Sequence, residues 1–244
     1  SSDYVLDATG ASVTFGYPID PVSRLSFGVG VNNTKLSIGT LPALQIKNFV
    51  DKYGEKFTNY ELTAGWSRST LNRGMFPTSG WRQGLSGEIT VPVSDLQFYK
   101  LRYNSNLYIP LSSSHEFVFR MRNEWSYGSG FGDTSTLPFY ENYFAGGINS
   151  VRGYENNSLG PKTTEQAQFA NPDPFGGNLL FENSFEVIFP LPFIKDQSSM
   201  RMSYFVDTGN VFDTERDYYF DPTEIRWSTG LALQWNTFIG PLGF

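Results

Sequence analysis

Cysteine is absent from the 244 residues, and histidine occurs once, at His115. Disulfide frameworks and thiolate metal sites are therefore excluded, and most histidine-based catalysis and metal chemistry goes with them. Long hydrophobic runs are missing too. No apolar window reaches the ~18 residues that a membrane-spanning helix needs. Positive charge is scarce, with 18 Lys and Arg against 24 Asp and Glu and a net charge of -6. The clustered cations that grip phosphates are not there, which argues against nucleic acid as a partner. Ser1-Ser2-Asp3 shows neither methionine nor the charged and apolar regions of a signal peptide, so any such peptide is expected to have been removed or to lie outside this sequence.

Aromatic residues are plentiful. They make up 17% of the chain, as much as all charged residues together, while mean hydropathy is only -0.31. Their arrangement follows a period of two, the signature of strands with one apolar and one polar face. Tyr60, Leu62, Ala64 and Trp66 alternate with Glu61, Thr63 and Gly65. Phe117, Phe119, Met121 and Trp125 oppose Arg120, Arg122 and Glu124; Phe181, Phe185 and Val187 oppose Glu182, Ser184 and Glu186. Met200, Met202, Tyr204 and Val206 oppose Arg201, Ser203 and Asp207, with Phe205 an exception on the polar side. The pattern predicts nine strands, near 11–18, 23–36, 56–71, 81–94, 98–110, 115–130, 178–190, 199–212 and 223–237.

Connections alternate in length. Short turns occur at "IDPVS", "SSS" and "KDQSS", and long loops cover roughly 37–55, 131–177 and 213–222. Short turns at one end and long loops at the other describe an outer-membrane barrel, and Tyr17, Trp81, Trp125, Tyr127, Phe212 and Trp235 near strand ends fit its interfacial girdles. A soluble β-sandwich also alternates, but its water-facing side does not carry continuous aromatic rows. The expected fold is thus all-β, a transmembrane antiparallel barrel. An odd number of strands and the closing "IGPLGF" imply that the chain is a piece of a larger one; Gly240, Pro241 and Gly243 argue against a strand there, although Phe244 resembles a terminal aromatic.

Chemistry finds little support. Glu182 and Glu186 stand about 13 Å apart along a strand, too far for a retaining glycosidase pair. Ser112, Ser113, Ser114 and His115 crowd a short turn, where neighbours in sequence rarely face one another productively. "GSGFG", 128–132, follows no strand-to-helix unit and is no nucleotide loop. The expectation is no enzyme, no cofactor and no metal. Inward charges of both signs suit internal bridging more than the single-signed ring of a passive porin.

One stretch is specific. "PFYENYFAGGINSVRGYENNSLGPK", residues 138–162, resembles the sixth extracellular loop of the BamA family of outer-membrane assembly factors, with its Val-Arg-Gly-aromatic motif at Val151, Arg152, Gly153 and Tyr154. "NRGMFPTSGWR", "FEVIFPLPF", "YFVDTGNVFD" and "GLALQWNTFIGPLGF" resemble family segments in the same order. The resemblance implies that residues 1–244 are about nine strands of a sixteen-stranded C-terminal barrel in the bacterial outer membrane, with loop 131–177 folded into the lumen. It also implies that Arg152 pairs there with Glu186 and Asp207, both placed on the inward face by parity alone. A guanidinium is a rigid fork of donors that keeps its charge, suited to bridging two carboxylates, and Gly153 would let the chain turn while Tyr154 packs on the wall. The implied partners are outer-membrane lipid, unfolded β-barrel substrates and, through periplasmic domains missing from this chain, accessory assembly lipoproteins. Two-partner-secretion and autotransporter-assembly pores of the same superfamily share the arginine motif and stand as the alternative.

Overall fold

The computed structural model describes residues 4–166, 171–191, 200–237 and 240–243. Among the described residues, ten strands lie side by side in chain order in one antiparallel sheet. They are β1 (Tyr4–Asp20), β2 (Ser23–Ile38), β3 (Lys56–Ser69), β4 (Gly80–Thr90), β5 (Phe98–Pro110), β6 (Val118–Gly130), β7 (Leu179–Phe189), β8 (Met200–Phe212), β9 (Arg226–Thr237) and β10 (Gly240–Gly243). Nine stand where the alternation puts them. The "KDQSS" turn and Phe244 fall outside the described residues.

The tenth strand corrects an expectation. Residues 240–243 pair with β9, Pro241 opposite Asn236, in spite of two glycines and a proline. Proline removes a single ladder donor and glycine weakens a strand without forbidding it, so a pairing of four residues survives them.

The sheet wears its polarity inside out. Phe15, Trp227 and Leu231 on one face are 70%, 63% and 64% exposed, whereas Asp207, Glu186 and Glu182 on the other are 0%, 4% and 5% exposed. A soluble sandwich would bury the first set and solvate the second, so this distribution decides for a sheet whose outer face meets lipid. No helix among the described residues is long and apolar enough to cross a membrane.

Two departures from expectation lie at the long-loop end. Within 37–55 the chain forms a helix, α1 (Leu44–Tyr53), whose buried Ile46 and Phe49 dock against Phe57 and Phe139. It ends at Gly54, where φ is 89° and the N–H returns to the Val50 carbonyl. Phe212, which its place near a strand end assigns to a lipid-facing girdle, is instead fully buried, packed by Tyr218 and Phe220 of its own loop. The loop after β8 folds over the strand end that period-two counting left bare.

Candidate functional site

Strand parity builds half of the site. On β7, Glu182, Ser184 and Glu186 face inward; on β8, Phe205 and Asp207 do so. Ser184 is paired directly with Asp207, and Glu186 with Phe205. Two carboxylates, a hydroxyl and one aromatic face thereby occupy four adjoining positions on the inner wall.

The loop between β6 and β7 brings the other half. Its stem closes where Tyr143 and Gly177 exchange backbone hydrogen bonds of 2.8 and 2.9 Å. Gly146 and Gly147 then take φ of 105° and 113°, and a turn returns the Gly147 N–H to the Val151 carbonyl. Val151 is fully buried among Tyr143, Ala145, Leu159, Leu180 and Val211, which fixes the direction in which the next residue leaves.

That residue, Arg152, reaches the wall patch. Its Nε donates to Asp207 Oδ2 at 2.6 Å and a terminal nitrogen to Asp207 Oδ1 at 2.7 Å, a bidentate fork. The same nitrogen lies 2.6 Å from Glu186 Oε1 and donates to Ser184 Oγ at 2.9 Å. Its backbone N–H also donates to Asp207, and Ser184 Oγ donates to Asp207 Oδ1 at 2.6 Å. The guanidinium sits 3.6 Å above the centre of the Phe205 ring. Gly153 follows with φ of 87°; a Cβ there would meet only Ser228 at 3.7 Å, so conformation and not space calls for glycine. Tyr154 donates its hydroxyl to the Trp227 carbonyl at 3.2 Å.

Several further residues hold this loop through pairings that period two does not reveal. Arg120 shares Glu186 from the far side at 3.3 Å and also donates to Asn106. Arg122 donates to the carbonyls of Asn149 and Ser150, while Glu182 accepts from Ser150 Oγ. Phe205 had one visible signal, its break in the alternation.

A second fastening sits at the base of the loop. Glu215 accepts from Ser129 Oγ at 2.7 Å, from the Gly130 N–H at 3.3 Å and from the Leu137 N–H at 2.7 Å. Arg216 donates to Thr136 Oγ1 and the Leu137 carbonyl. Glu215→Ala should strand those donors, at about 1–3 kcal/mol. Faster amide hydrogen exchange at Gly130 and Leu137, with β1–β4 unchanged, is the expected readout.

The serine–histidine juxtaposition does not assemble. Ser114 Oγ donates to Glu116, and the His115 imidazole is hydrogen-bonded to Thr78. Among the described residues no group of three or more His, Cys, Asp or Glu is set to hold a metal ion.

Comparison with known proteins bears on this arrangement. A family model described as the Omp85 superfamily domain matches residues 1–244. The chain is 30% identical over 271 residues to the outer membrane protein assembly factor BamA of Neisseria meningitidis serogroup B, covering 99% of the chain and 34% of that protein. It is 25% identical over 245 residues to BamA of Nitratidesulfovibrio vulgaris, covering 99% of the chain and 29% of the relative. The crystal structure of BamA from Haemophilus ducreyi lacking POTRA domains 1–3 superposes with a TM-score of 0.90 at 34% identity, over 99% of this chain and 50% of that one. The chain thus spans about a third of the length of the curated relatives it matches.

Proposed function

Because the chain belongs to the Omp85 superfamily, as a portion of a BamA-family outer-membrane β-barrel, we propose that it works in an assembly factor that folds and inserts other β-barrel proteins without covalent chemistry or cofactor. The observation that carries this reading is Arg152, delivered by a long loop onto Asp207 and Glu186 of the inner wall.

The physical task is severe. An unpaired strand entering hydrocarbon exposes N–H and C=O groups that each cost several kcal/mol. A catalyst of insertion lowers that barrier by thinning the bilayer beside it and by offering strand edges to pair with. In this reading the long-loop end is extracellular, loop 131–177 lies in the lumen, and the ion-paired arginine keeps loop and wall in the competent arrangement. Unfolded barrel proteins and outer-membrane lipid are the direct partners, and accessory lipoproteins act through periplasmic domains outside this chain.

Full-length protein reconstituted in liposomes should accelerate folding of a urea-unfolded outer-membrane barrel relative to protein-free vesicles, followed by the gel shift of the folded band. Equal rates with and without the protein would refute the assembly role. A passive or secretory pore would instead show conductance once loop 131–177 is deleted and no effect on substrate folding.

A further inference from the structure

The outer face of β6 and β7 carries a feature that the lumen site does not use. Asn123 and Asn183 share the outward parity of Trp125 and Phe185, which are 44% and 37% exposed, yet are themselves only 7% and 8% exposed. They stand directly opposite one another across the two strands. Asn123 Nδ2 donates to Asn183 Oδ1 at 2.5 Å, and Trp125 Nε1 donates to the same oxygen at 3.1 Å. The Trp125 ring itself is stacked on Phe181, with centroids 5.8 Å apart.

Amides on a lipid-facing surface are costly without partners and need a reason. The reason lies in how this strand pair is connected. Tight hairpins have their register set by the turn, but β6 and β7 are joined by residues 131–178, the longest connection between consecutive described strands. Side-chain alternation forbids a slip of one residue, which would turn apolar positions inward, but it permits a slip of two.

The inner face does not forbid that slip either. In the observed register Arg120 opposes Glu186, Arg122 opposes Ser184, and Glu124 opposes Glu182, a like-charge pair. Sliding by two in one direction sets Arg122 against Glu186; in the other it sets Arg122 against Glu182. Either slip separates the two glutamates. On the outer face, both slips part the two asparagines and place each against Phe, Trp or Met, none of which offers an oxygen acceptor, so the amide N–H donors are left unpaired in hydrocarbon.

We propose that Asn123 and Asn183 form a register key on the lipid-facing side of the sheet, admitting one of the three pairings that alternation allows. Their effect on the site is positional. The chosen register sets Glu186 and Ser184 opposite Arg120 and Arg122, so the loop backbone can rest on Arg122 while Arg152 reaches Glu186 and Asp207. A single buried asparagine fixes coiled-coil register by the same logic. The inference rests on the outward face being lipid-facing and not on the assembly activity.

The test is disulfide trapping in full-length protein folded into liposomes, in a background otherwise free of cysteine. Met121→Cys with Phe185→Cys reports the observed register; Met121→Cys with Val187→Cys and Phe119→Cys with Phe185→Cys report the two slips. With both asparagines present the first pair should dominate. In Asn123→Leu/Asn183→Leu the native-to-slipped ratio should fall about tenfold, the discrimination a hydrogen bond of ordinary net strength provides. Asn123→Thr/Asn183→Thr keeps a hydrogen-bonded cross-strand pair and should hold the native register. The proposal is overturned by an unchanged ratio in the Leu/Leu protein, by slipping in the Thr/Thr protein, or by a Leu/Leu protein that does not fold, since that would make the pair a stabiliser and not a selector. Register is read without an assembly assay, so failure here and failure of the assembly reading are separable.

Discussion

Full-length protein carrying Arg152→Ala should lose its resistance to heat in detergent and become open to protease within loop 131–177. Asp207 and Glu186 are 0% and 4% exposed, so removing the cation leaves Asp207 without its counter-charge and Glu186 with Arg120 alone. Breaking a buried pair from one side costs ~3–5 kcal/mol, because the stranded charge has lost both water and partner. Arg152→Lys should recover little of this. A lysine ammonium is a point charge that cannot fork onto Asp207 while also reaching Glu186 and Ser184, nor stack flat on Phe205. The measurement is the temperature at which the folded band shifts on a gel, with growth of cells depending on the variant as a second readout. An Arg152→Ala protein that melts with the wild type and supports full growth would remove the claim that this contact holds the loop.

The reach of the sequence follows from what kind of rule governs each residue. Period two is local, so nine strands and the inward placement of Glu182, Glu186 and Asp207 could be read directly. The tethering of Arg152 to Glu186 and Asp207 could not, because nothing local relates residue 152 to residue 207; it came from the resemblance of the loop motif, and the structure brings the three together. Residues that act through loop packing left almost no trace. α1 is a ten-residue helix between strands, held by aromatics from β3 and from the loop beyond β6, and its own periodicity is too short to announce it. Phe212 looked like a girdle residue because its shielding comes from Tyr218 and Phe220, which alternation does not describe. Glu215 and Arg216 read as loop charge in a polar segment. Half of their targets are backbone groups, at Gly130 and Leu137, and backbone partners carry no sequence signature.

Phe205 shows how a break in a pattern can be read, and Phe205→Ala should be the second large loss. An aromatic on the polar face of a strand is anomalous until its neighbours are known. A Cβ built on Gly230 of β9, directly opposite, would lie 3.0 Å from the ring, so the phenyl group lies down over bare backbone. The Arg152 guanidinium sits over the same ring, 3.6 Å from its centre. The ring is thus a platform under the guanidinium, whose nitrogens are spent on the Asp207 and Glu186 carboxylates and on Ser184. Truncation to alanine removes a largely buried phenyl, typically ~3–5 kcal/mol, of which the cation–π contact is worth about 2 kcal/mol in a desolvated setting. Phe205→Tyr should keep the platform, whereas Phe205→Leu should keep part of the volume and lose the π face. The decisive experiment is a double-mutant cycle between Phe205→Leu and Arg152→Ala on the thermal stability of the full-length protein. Coupling of roughly 1–2 kcal/mol is expected for groups in contact. Strict additivity would mean that the ring only fills space and that the arginine is oriented by its carboxylates alone.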